Sequence, residues 1–327
     1  MTTKRKYTAQ RGFFSHDDDP ESWDFRAVTR VDLGLLNRSY PTDSLIDESY
    51  AQIESTQWQR FKQYLEHLNA NDSTKHYKLL YLIRHGEGFH NVKEKEIGRA
   101  EWDRYWAKMP GDGSVVWADA ELTANGEQQA RSIAEARAYL GGGTITAILS
   151  SPLRRCLRTV HLAFPPETRD RRPIIKEKLR ERLGIHTCDQ RSSRTWIAEN
   201  YPSFDIEDGF DENDSLWTPD RRESIEEHTA RSTELLDDIF DGDYGDYVVL
   251  AAHSGAIMSL FAATGWRKVP VAAGAVYPLL VCVGPEAVQL SRPQKDSSVT
   301  TKDIRLSATH PFIKSATTSP AGTIGSA

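Results

Sequence analysis

The sequence predicts an α/β protein: a three-layer α/β/α sandwich with a mostly parallel central sheet, and with insertions that form a lid over the carboxyl ends of its strands. Apolar runs of strand length alternate with segments of helical periodicity, which is the pattern of a layered α/β sheet. Three of the apolar runs, residues 79–83, 144–149 and 247–252, end in polar turns. Ligands of such sheets bind beyond the carboxyl ends of the strands, so a functional site is expected at these turns.

The bulk composition is that of a globular protein. With 327 residues, 39% of them hydrophobic, the chain can hold one large α/β domain with insertions or two domains. No apolar run is long enough to cross a membrane, and the basic start lacks the hydrophobic segment of a secretory signal. The net charge of −6 argues against a nucleic-acid partner. Three widely spaced cysteines predict a reducing, cytoplasmic location without disulfides or a zinc cluster. Nothing in the sequence indicates an oligomeric state.

The predicted elements follow one another along the chain. Residues 1–54 are polar and irregular, and a packing helix over about 56–68 leads into the first buried strand. Capping signals and apolar spacing predict further helices, and short apolar runs predict further strands. The helices cover about residues 123–140, 153–162, 224–240 and 254–264, and the strands 79–83, 144–149, 173–177, 247–252 and 275–283.

The turns at the strand ends supply groups that suit a phosphate ester. Arg84 and His85 follow the first buried strand, Arg155 lies just past the second, and His253 follows the third. If the three strands are parallel neighbours, these four side chains meet at one rim of the sheet. The arginines can then neutralise a phosphate, one histidine can attack phosphorus in line, and the other can donate to a phosphate oxygen.

The leaving alcohol of such an ester needs a proton, so a carboxylic acid should lie nearby. Glu181, which follows a short predicted strand, is the first candidate, and Glu177 and Glu87 are also close in sequence to the motifs. The N-terminus of the helix that begins at Ser254 adds a favourable dipole for an anion.

Four motifs, spread over about residues 79–283, resemble those of the histidine phosphatase superfamily, which has the phosphoglycerate mutase-like fold. They are Arg84-His85-Gly86-Glu87 with Asn91, Ser151-Pro152-Leu153-Arg154-Arg155, the Leu-x-Glu acid Glu181, and the pocket histidine His253. Cys156 stands where alanine is usual. Residues 182–189 look like the fungal and plant phosphatase-type branch, whose members carry a long N-terminal extension.

The resemblance implies a metal-independent phosphatase that hydrolyses a small organic phosphate ester and needs no cofactor. His85 would be the nucleophile that forms a phosphohistidine, Glu181 the proton donor, and His253 a second catalytic group. The phosphate-binding residues would be Arg84, Asn91, Arg155, His253 and Ser254.

The motifs and the composition together divide the chain into domains. Residues 1–77 are expected to be an extension that packs on the catalytic domain. The catalytic domain covers residues 78–292 and carries insertions at about 97–118 and 186–222. The composition of residues 293–327 predicts a disordered tail.

Two segments of the catalytic domain have alternative interpretations. Aromatic residues of the first insertion either form the wall of a pocket or anchor the insertion to the core. They are Trp102, Tyr105, Trp106 and Trp117. Arginines from Arg182 to Arg222 either bind further anionic groups or form a solvated ion-pair face.

Three other functions remain open. True mutases carry a Tyr-Gly-x-Leu-x-Gly-like segment after the acid and an arginine pair for the substrate carboxylate, whereas residues 186–190 read His-Thr-Cys-Asp-Gln here, which favours a phosphatase. A silent protein that binds a phosphorylated ligand or a partner would usually have lost the nucleophile or an arginine. A zinc site built from His85, His90 and His253 lacks the His-Glu-x-x-His spacing. Packing or exposed polar roles are expected for His90, His161, His186 and His228.

Overall fold

A computed structural model describes residues 5–19, 31–45, 56–136 and 145–285. The tail predicted over 293–327 lies outside these residues, as do the end of the helix predicted over 123–140 and parts of the irregular segment 1–54. None of the helices in the described ranges is both long enough and apolar enough to cross a membrane.

One mostly parallel sheet forms the centre of the described structure. Its strands are β1 (Arg5–Ala9), β2 (His76–Arg84), β3 (Ala147–Ser150), β4 (Ile174–Ile175), β5 (Asp205–Ile206), β6 (Tyr247–Ala252) and β7 (Val276–Pro285). They lie in the order β1-β7-β2-β6-β3-β4-β5. Strands β2, β6, β3, β4 and β5 are parallel neighbours. On the other side of β2, β7 pairs antiparallel with β2, and β1 pairs antiparallel with β7. The predicted mostly parallel sheet is therefore confirmed, and the three strands with polar turns are parallel neighbours.

The described residues hold eight α-helices, and two of them begin at capping boxes. The hydroxyls of Thr56 and Ser224 accept from the N–H groups of Gln59 and Glu227, whose side chains bond back to the cap. The helices are α1 (Gln57–Asn71), α2 (Phe89–Ile97), α3 (Arg99–Arg104), α4 (Ala124–Ala136), α5 (Arg154–Ala163), α6 (Arg194–Asn200), α7 (Ile225–Asp241) and α8 (Ser254–Ala263).

The sheet separates two apolar cores, which makes the fold a three-layer α/β/α sandwich. Along β2, Leu79, Tyr81 and Ile83 belong to a core that includes side chains of α1, α4 and α5. Leu80 and Leu82 belong to the core on the other face, with side chains of α7 and α8. All five are fully buried, as the period-two alternation of a strand covered on both faces requires. Each such side chain contributes about 1.5–3 kcal/mol of hydrophobic stabilisation.

The segment predicted to be irregular and the second insertion both contain regular structure. Within residues 1–54, β1 pairs with β7, and Phe13 and Phe14 pack against Phe61 of α1. Between residues 179 and 222, α6 and β5 are formed. The strand predicted over 173–177 is limited to Ile174–Ile175. β1 and β5 are short edge strands without an apolar run, so pairing with a neighbouring strand sets their conformation rather than local sequence.

Candidate active site

Strand register brings the predicted catalytic histidines together. Arg84 at the end of β2 is aligned with Ala252 at the end of β6, so His85 and His253 leave the sheet side by side. The His85 N–H donates to the Ala252 carbonyl at 3.0 Å. The two imidazole ring centroids are 5.1 Å apart.

A cavity of about 640 Å³ opens at this rim of the sheet. Side chains from both insertions, including Trp102 and His186, form part of its wall. The cavity is larger than a phosphate group needs, so it has room for an organic leaving group. Six of the predicted site residues line it: Arg84, His85, Asn91, Arg155, Glu181 and Ser254.

His85 is 2% exposed and holds a defined tautomer. Its Nδ1 lies 2.7 Å from the Gly86 carbonyl oxygen, which can only accept. Nδ1 therefore carries the hydrogen and Nε2 carries the lone pair. Burial, followed by the charges of Arg155 and Arg84, lowers the pKa of His85 well below its usual 6.5. At neutral pH the ring is therefore neutral, with its lone pair on Nε2.

The guanidinium of Arg155 is buried and held on three sides. Its Nε–H donates to Nδ1 of His253 at 3.1 Å, Nη1 donates to the Cys188 carbonyl, and Nη2 donates to Oδ1 of Asp189 at 2.9 Å. Asp189 also pairs with Arg222 at 2.9 Å. These contacts use three of the five N–H groups of a guanidinium, so two remain for a ligand.

His253 supports Arg155 and is not part of the cavity lining. Because its Nδ1 accepts from Arg155, its Nε2 carries the hydrogen, and Nε2 donates to Ser151 Oγ at 2.8 Å. The predicted hydrogen bond from His253 to a phosphate stays a prediction, and it requires this N–H to leave Ser151. With both nitrogens engaged, His253 offers no free ligand atom for the alternative zinc site with His85 and His90.

Of the three carboxylates considered as proton donor, Glu181 alone lines the cavity within the described residues. Its Oε2 accepts from the Gly255 N–H at 2.8 Å, and Oε1 accepts from the Arg182 N–H at 2.9 Å. A Cβ at position 255 would stand 1.9 Å from Oε1, so the first turn of α8 approaches Glu181 because residue 255 is glycine. Glu177 instead forms ion pairs with two buried arginines, and Glu87 accepts from a threonine hydroxyl.

The other residues predicted to bind phosphate have hydrogen-bond donors that are not used by the described residues. Arg84 Nη1 donates to the Val271 carbonyl at 2.8 Å, whereas its buried Nε has no hydrogen-bond partner among the described residues. Asn91, in the first turn of α2, accepts from the Gly88 N–H through Oδ1 at 3.0 Å, which leaves its amide N–H groups for other acceptors. Ser254 begins α8, whose N-terminus favours an anion.

The cavity is electropositive although the whole protein has a net charge of −6. Seven arginines and lysines line it against four aspartates and glutamates. The histidines do not add to this charge at neutral pH, because burial holds the pKa of His85, His90 and His253 well below the usual 6.5. An anionic ligand is therefore the natural occupant.

The wall of the cavity includes several residues that the sequence does not predict there. His90, His186 and His228 are predicted to have packing or exposed roles, but all three line the cavity. His90 could have been found from its position five residues after His85, and its ring centroid lies 5.5 Å from that of His85. His186 lies in the segment that resembles the fungal and plant branch. No local signal marks His228, which the packing of α7 against α8 brings to the cavity.

One group in the wall has the composition of a metal site. His186, Cys188 and Asp189 each place one potential ligand atom within 4.8 Å of the others. Asp189 already pairs with Arg155 and Arg222, and burial raises the pKa of the Cys188 thiol well above its usual range. Two guanidinium groups and a protonated thiol disfavour a bound cation, so these residues do not fit a metal site.

The aromatic residues of the first insertion form a small core of their own. The ring centroids of Trp102 and Trp117 are 5.8 Å apart, those of Trp106 and Trp117 are 5.9 Å apart, and Cys188 of the second insertion joins them. Trp102 also lines the cavity. Both interpretations of this cluster therefore hold: it anchors the insertion, and one of its members forms part of the wall. Tyr105 stays exposed.

The arginines of the second insertion divide into two groups. Arg182 and Arg222 line the cavity. Arg191 is buried in an ion pair with Glu177, and the exposed Arg221 pairs with Glu227. The pair of Arg221 with Glu227 is a solvated ion pair, whereas anion binding by Arg182 and Arg222 stays a prediction.

Known proteins resemble this chain over most of its length. Residues 110–276 match the model of the histidine phosphatase superfamily (branch 1). A protein of Arthroderma benhamiae named "Probable phosphoglycerate mutase" is 38% identical over 304 residues, which are 90% of this chain and 89% of that one. "Phosphomutase-like protein 3" of Candida albicans is 36% identical over 231 residues, 69% of this chain and 71% of that one. A solved mycobacterial glucosyl-3-phosphoglycerate phosphatase is 26% identical and covers 57% of this chain and 81% of its own, with a TM-score of 0.36.

The matched residues include Arg155, Glu181 and His253, whereas Arg84 and His85 precede them and reach the same cavity through β2. The resemblance noted from the four sequence motifs is thereby confirmed. The chain belongs to the histidine phosphatase superfamily, branch 1.

Proposed function

We propose that the protein is a metal-independent phosphatase, which hydrolyses a small organic phosphate ester through a phosphohistidine on His85. The observation that carries the proposal is the state of His85. Its Nδ1–H is held by the Gly86 carbonyl, its ring is neutral, and it lies in the wall of an electropositive cavity. A neutral imidazole with a free Nε2 lone pair is the form that attacks phosphorus.

In the first step, Nε2 of His85 forms a bond to phosphorus while the ester P–O bond breaks. Arg84 and Arg155 donate to the non-bridging oxygens and neutralise their charge, so the arginines supply the electrostatic stabilisation that the transfer needs. Glu181 gives its proton to the leaving alkoxide. The products of this step are the free alcohol, the Glu181 carboxylate and a phosphorylated His85.

In the second step, water attacks phosphorus and the P–N bond breaks. The Glu181 carboxylate accepts a proton from the water, and Nε2 of His85 regains its lone pair. Inorganic phosphate then leaves the cavity. Each group returns to its starting protonation state, so the cycle needs no further reactant.

Phosphate release from p-nitrophenyl phosphate in excess EDTA tests the proposal. We expect the wild type to release phosphate and His85→Ala to lose the activity by about a thousandfold or more. His67→Ala is the matched control, because His67 lies on α1, outside the cavity lining, and its ring Nδ1 lies 3.0 Å from the side-chain nitrogen of Asn71 on the same helix. Equal rates for the wild type and His85→Ala would contradict the mechanism.

A mutase is the second candidate, and the names of the two fungal relatives favour it. Against it, residues 187–189 form a 3-10 turn whose Asp189 carboxylate lies between Arg155 and Arg222, in place of the mutase segment. A mutase must retain its phosphoenzyme, whereas a phosphatase only admits water. Steady release of phosphate without a bisphosphorylated primer supports the phosphatase, and a strict need for the primer supports the mutase.

A further inference from the structure

Glu181 marks the side of the cavity from which the leaving group departs, because the proton donor must reach the ester oxygen. Arg182 follows it directly, and its backbone N–H bonds to the Glu181 carboxylate. The wall continues on α8, where Met258 and Ser259 line the cavity one turn beyond Gly255. The chemistry of this side of the cavity therefore selects the organic part of the substrate.

Two cations on this side form no salt bridge within the described residues, although Glu226 lies near both. Arg182 donates twice, through Nε and Nη2, to the Glu223 carbonyl oxygen, and no carboxylate of the described residues lies within ion-pair distance of its guanidinium. Lys268, in the loop after α8, has neither a hydrogen bond nor an ion pair there. Both cations act electrostatically on Glu226, which places them near the same end of α7. Arg222 differs from them, because it is already paired with Asp189.

Two polar atoms on the leaving-group side of the cavity are buried without a partner among the described residues. They are Nε2 of His228 and Oγ of Ser259, on residues that are 2% and 5% exposed. The residues lie on α7 and α8, which pack against each other, and both line the cavity. Folded proteins rarely leave buried polar atoms unpaired, so a bound group that hydrogen-bonds to them would complete the site.

We propose that Arg182, His228, Ser259 and Lys268 form a second anion subsite, and that the preferred substrate carries a carboxylate or a second phosphate on its leaving group. The phosphate bound beside His85 and this second anion occupy the two ends of one cavity. The assignment rests on the proposed function in one respect only, the use of Glu181 to identify the leaving-group side.

Binding of two phosphonates, which cannot be hydrolysed, tests the subsite without turnover. Calorimetry compares benzylphosphonate with para-carboxybenzylphosphonate, which adds one anionic group at the far end. We expect the wild type to bind para-carboxybenzylphosphonate about tenfold more tightly than benzylphosphonate, because hydrogen bonds to charged groups contribute a free energy of that order. Equal affinities for the two compounds would overturn the proposal.

The variant that isolates the subsite is Lys268→Gln, because Lys268 is exposed and its replacement leaves the fold intact. In this variant, the gain in affinity that the carboxylate provides over benzylphosphonate should fall to about twofold or less. Lys95→Gln is the matched control, since Lys95 is exposed on α2 and outside the cavity lining, and it should keep the full gain. A full gain in Lys268→Gln would overturn the proposal. Phosphate release from p-nitrophenyl phosphate by the same wild-type sample tests the proposed function separately. A failure of the anion subsite can therefore be distinguished from a failure of the phosphatase proposal.

Discussion

The Nε–H of Arg155 donates to Nδ1 of His253 at 3.1 Å, and this one bond defines the protonation state of the histidine. A guanidinium cannot accept a hydrogen bond, so His253 must be neutral with its hydrogen on Nε2. Protonation of Nδ1 would place a second cation against a buried arginine. The orientation of the arginine that is proposed to bind phosphate thus depends on a neutral histidine beneath it.

The first prediction concerns the titration of His85. Burial, followed by the charges of Arg155 and Arg84, lowers the pKa of His85 well below 6.5. The neutral form of the ring therefore persists to a lower pH than in an ordinary histidine. Nitrogen-15 NMR between about pH 8 and about pH 5 should show Nδ1 protonated and Nε2 free throughout. NMR is preferable to a pH–rate profile because a phosphate monoester itself titrates near pH 6. A midpoint at or above 6.5 for Nε2 would contradict the site as described.

The second prediction concerns Gly255, where a Cβ would stand 1.9 Å from Glu181 Oε1. Gly255→Ala should displace the carboxylate and lower kcat by about a hundredfold for phenyl phosphate. The loss should be below about tenfold for p-nitrophenyl phosphate, whose leaving group needs less protonation. Glu181→Gln should show the same dependence on the leaving group. If kcat falls by the same factor for both substrates in both variants, Glu181 is not the proton donor.

The third prediction concerns stability at Asp189, which is 3% exposed. Burial opposes its ionised form, yet Arg222 and Arg155 outweigh burial and hold the pKa of Asp189 below its usual range. Asp189→Asn removes the negative charge between two cations, so the free energy of unfolding should fall by about 3 kcal/mol. The measurement is urea denaturation at neutral pH.

Asp205→Asn is the control for Asp189, because Asp205 forms an exposed ion pair with Arg172. This change should lower the free energy of unfolding by less than about 1 kcal/mol. A loss for Asp189→Asn that is no greater than for Asp205→Asn would mean that the buried carboxylate does not stabilise the arginines.

The sequence predicts the central part of the fold and site because the relevant signals there are local. The strands that end at Arg84 and at Ala252 are continuous apolar runs of the kind found in buried parallel strands. Their adjacency in the sheet is a condition that the sequence alone does not establish. The parallel pairing of β2 with β6 meets this condition and brings His85 and His253 together. Two capping boxes likewise begin helices where the sequence predicts them.

The rest depends on long-range contacts that no local pattern shows. β1 is a strand because β7 pairs with it. His228 and Lys268 reach the cavity through the packing of α7, α8 and the loop after α8. Asp189 has its role because it meets Arg155, which is 34 residues away in the chain. The engagement of both His253 nitrogens is likewise visible only once the tertiary structure is known.

Trapping the phosphoenzyme would show directly whether His85 is the nucleophile. Wild-type protein would be mixed with a phosphate ester in excess EDTA and quenched in alkali, which preserves a phosphoramidate bond. Tandem mass spectrometry and phosphorus-31 NMR would then identify the modified atom. We expect phosphate on Nε2 of His85, because Nδ1–H donates to the Gly86 carbonyl, and we expect no phosphohistidine in His85→Ala. Turnover without phosphohistidine, or phosphate on His90 or His253 instead, would contradict this role of His85.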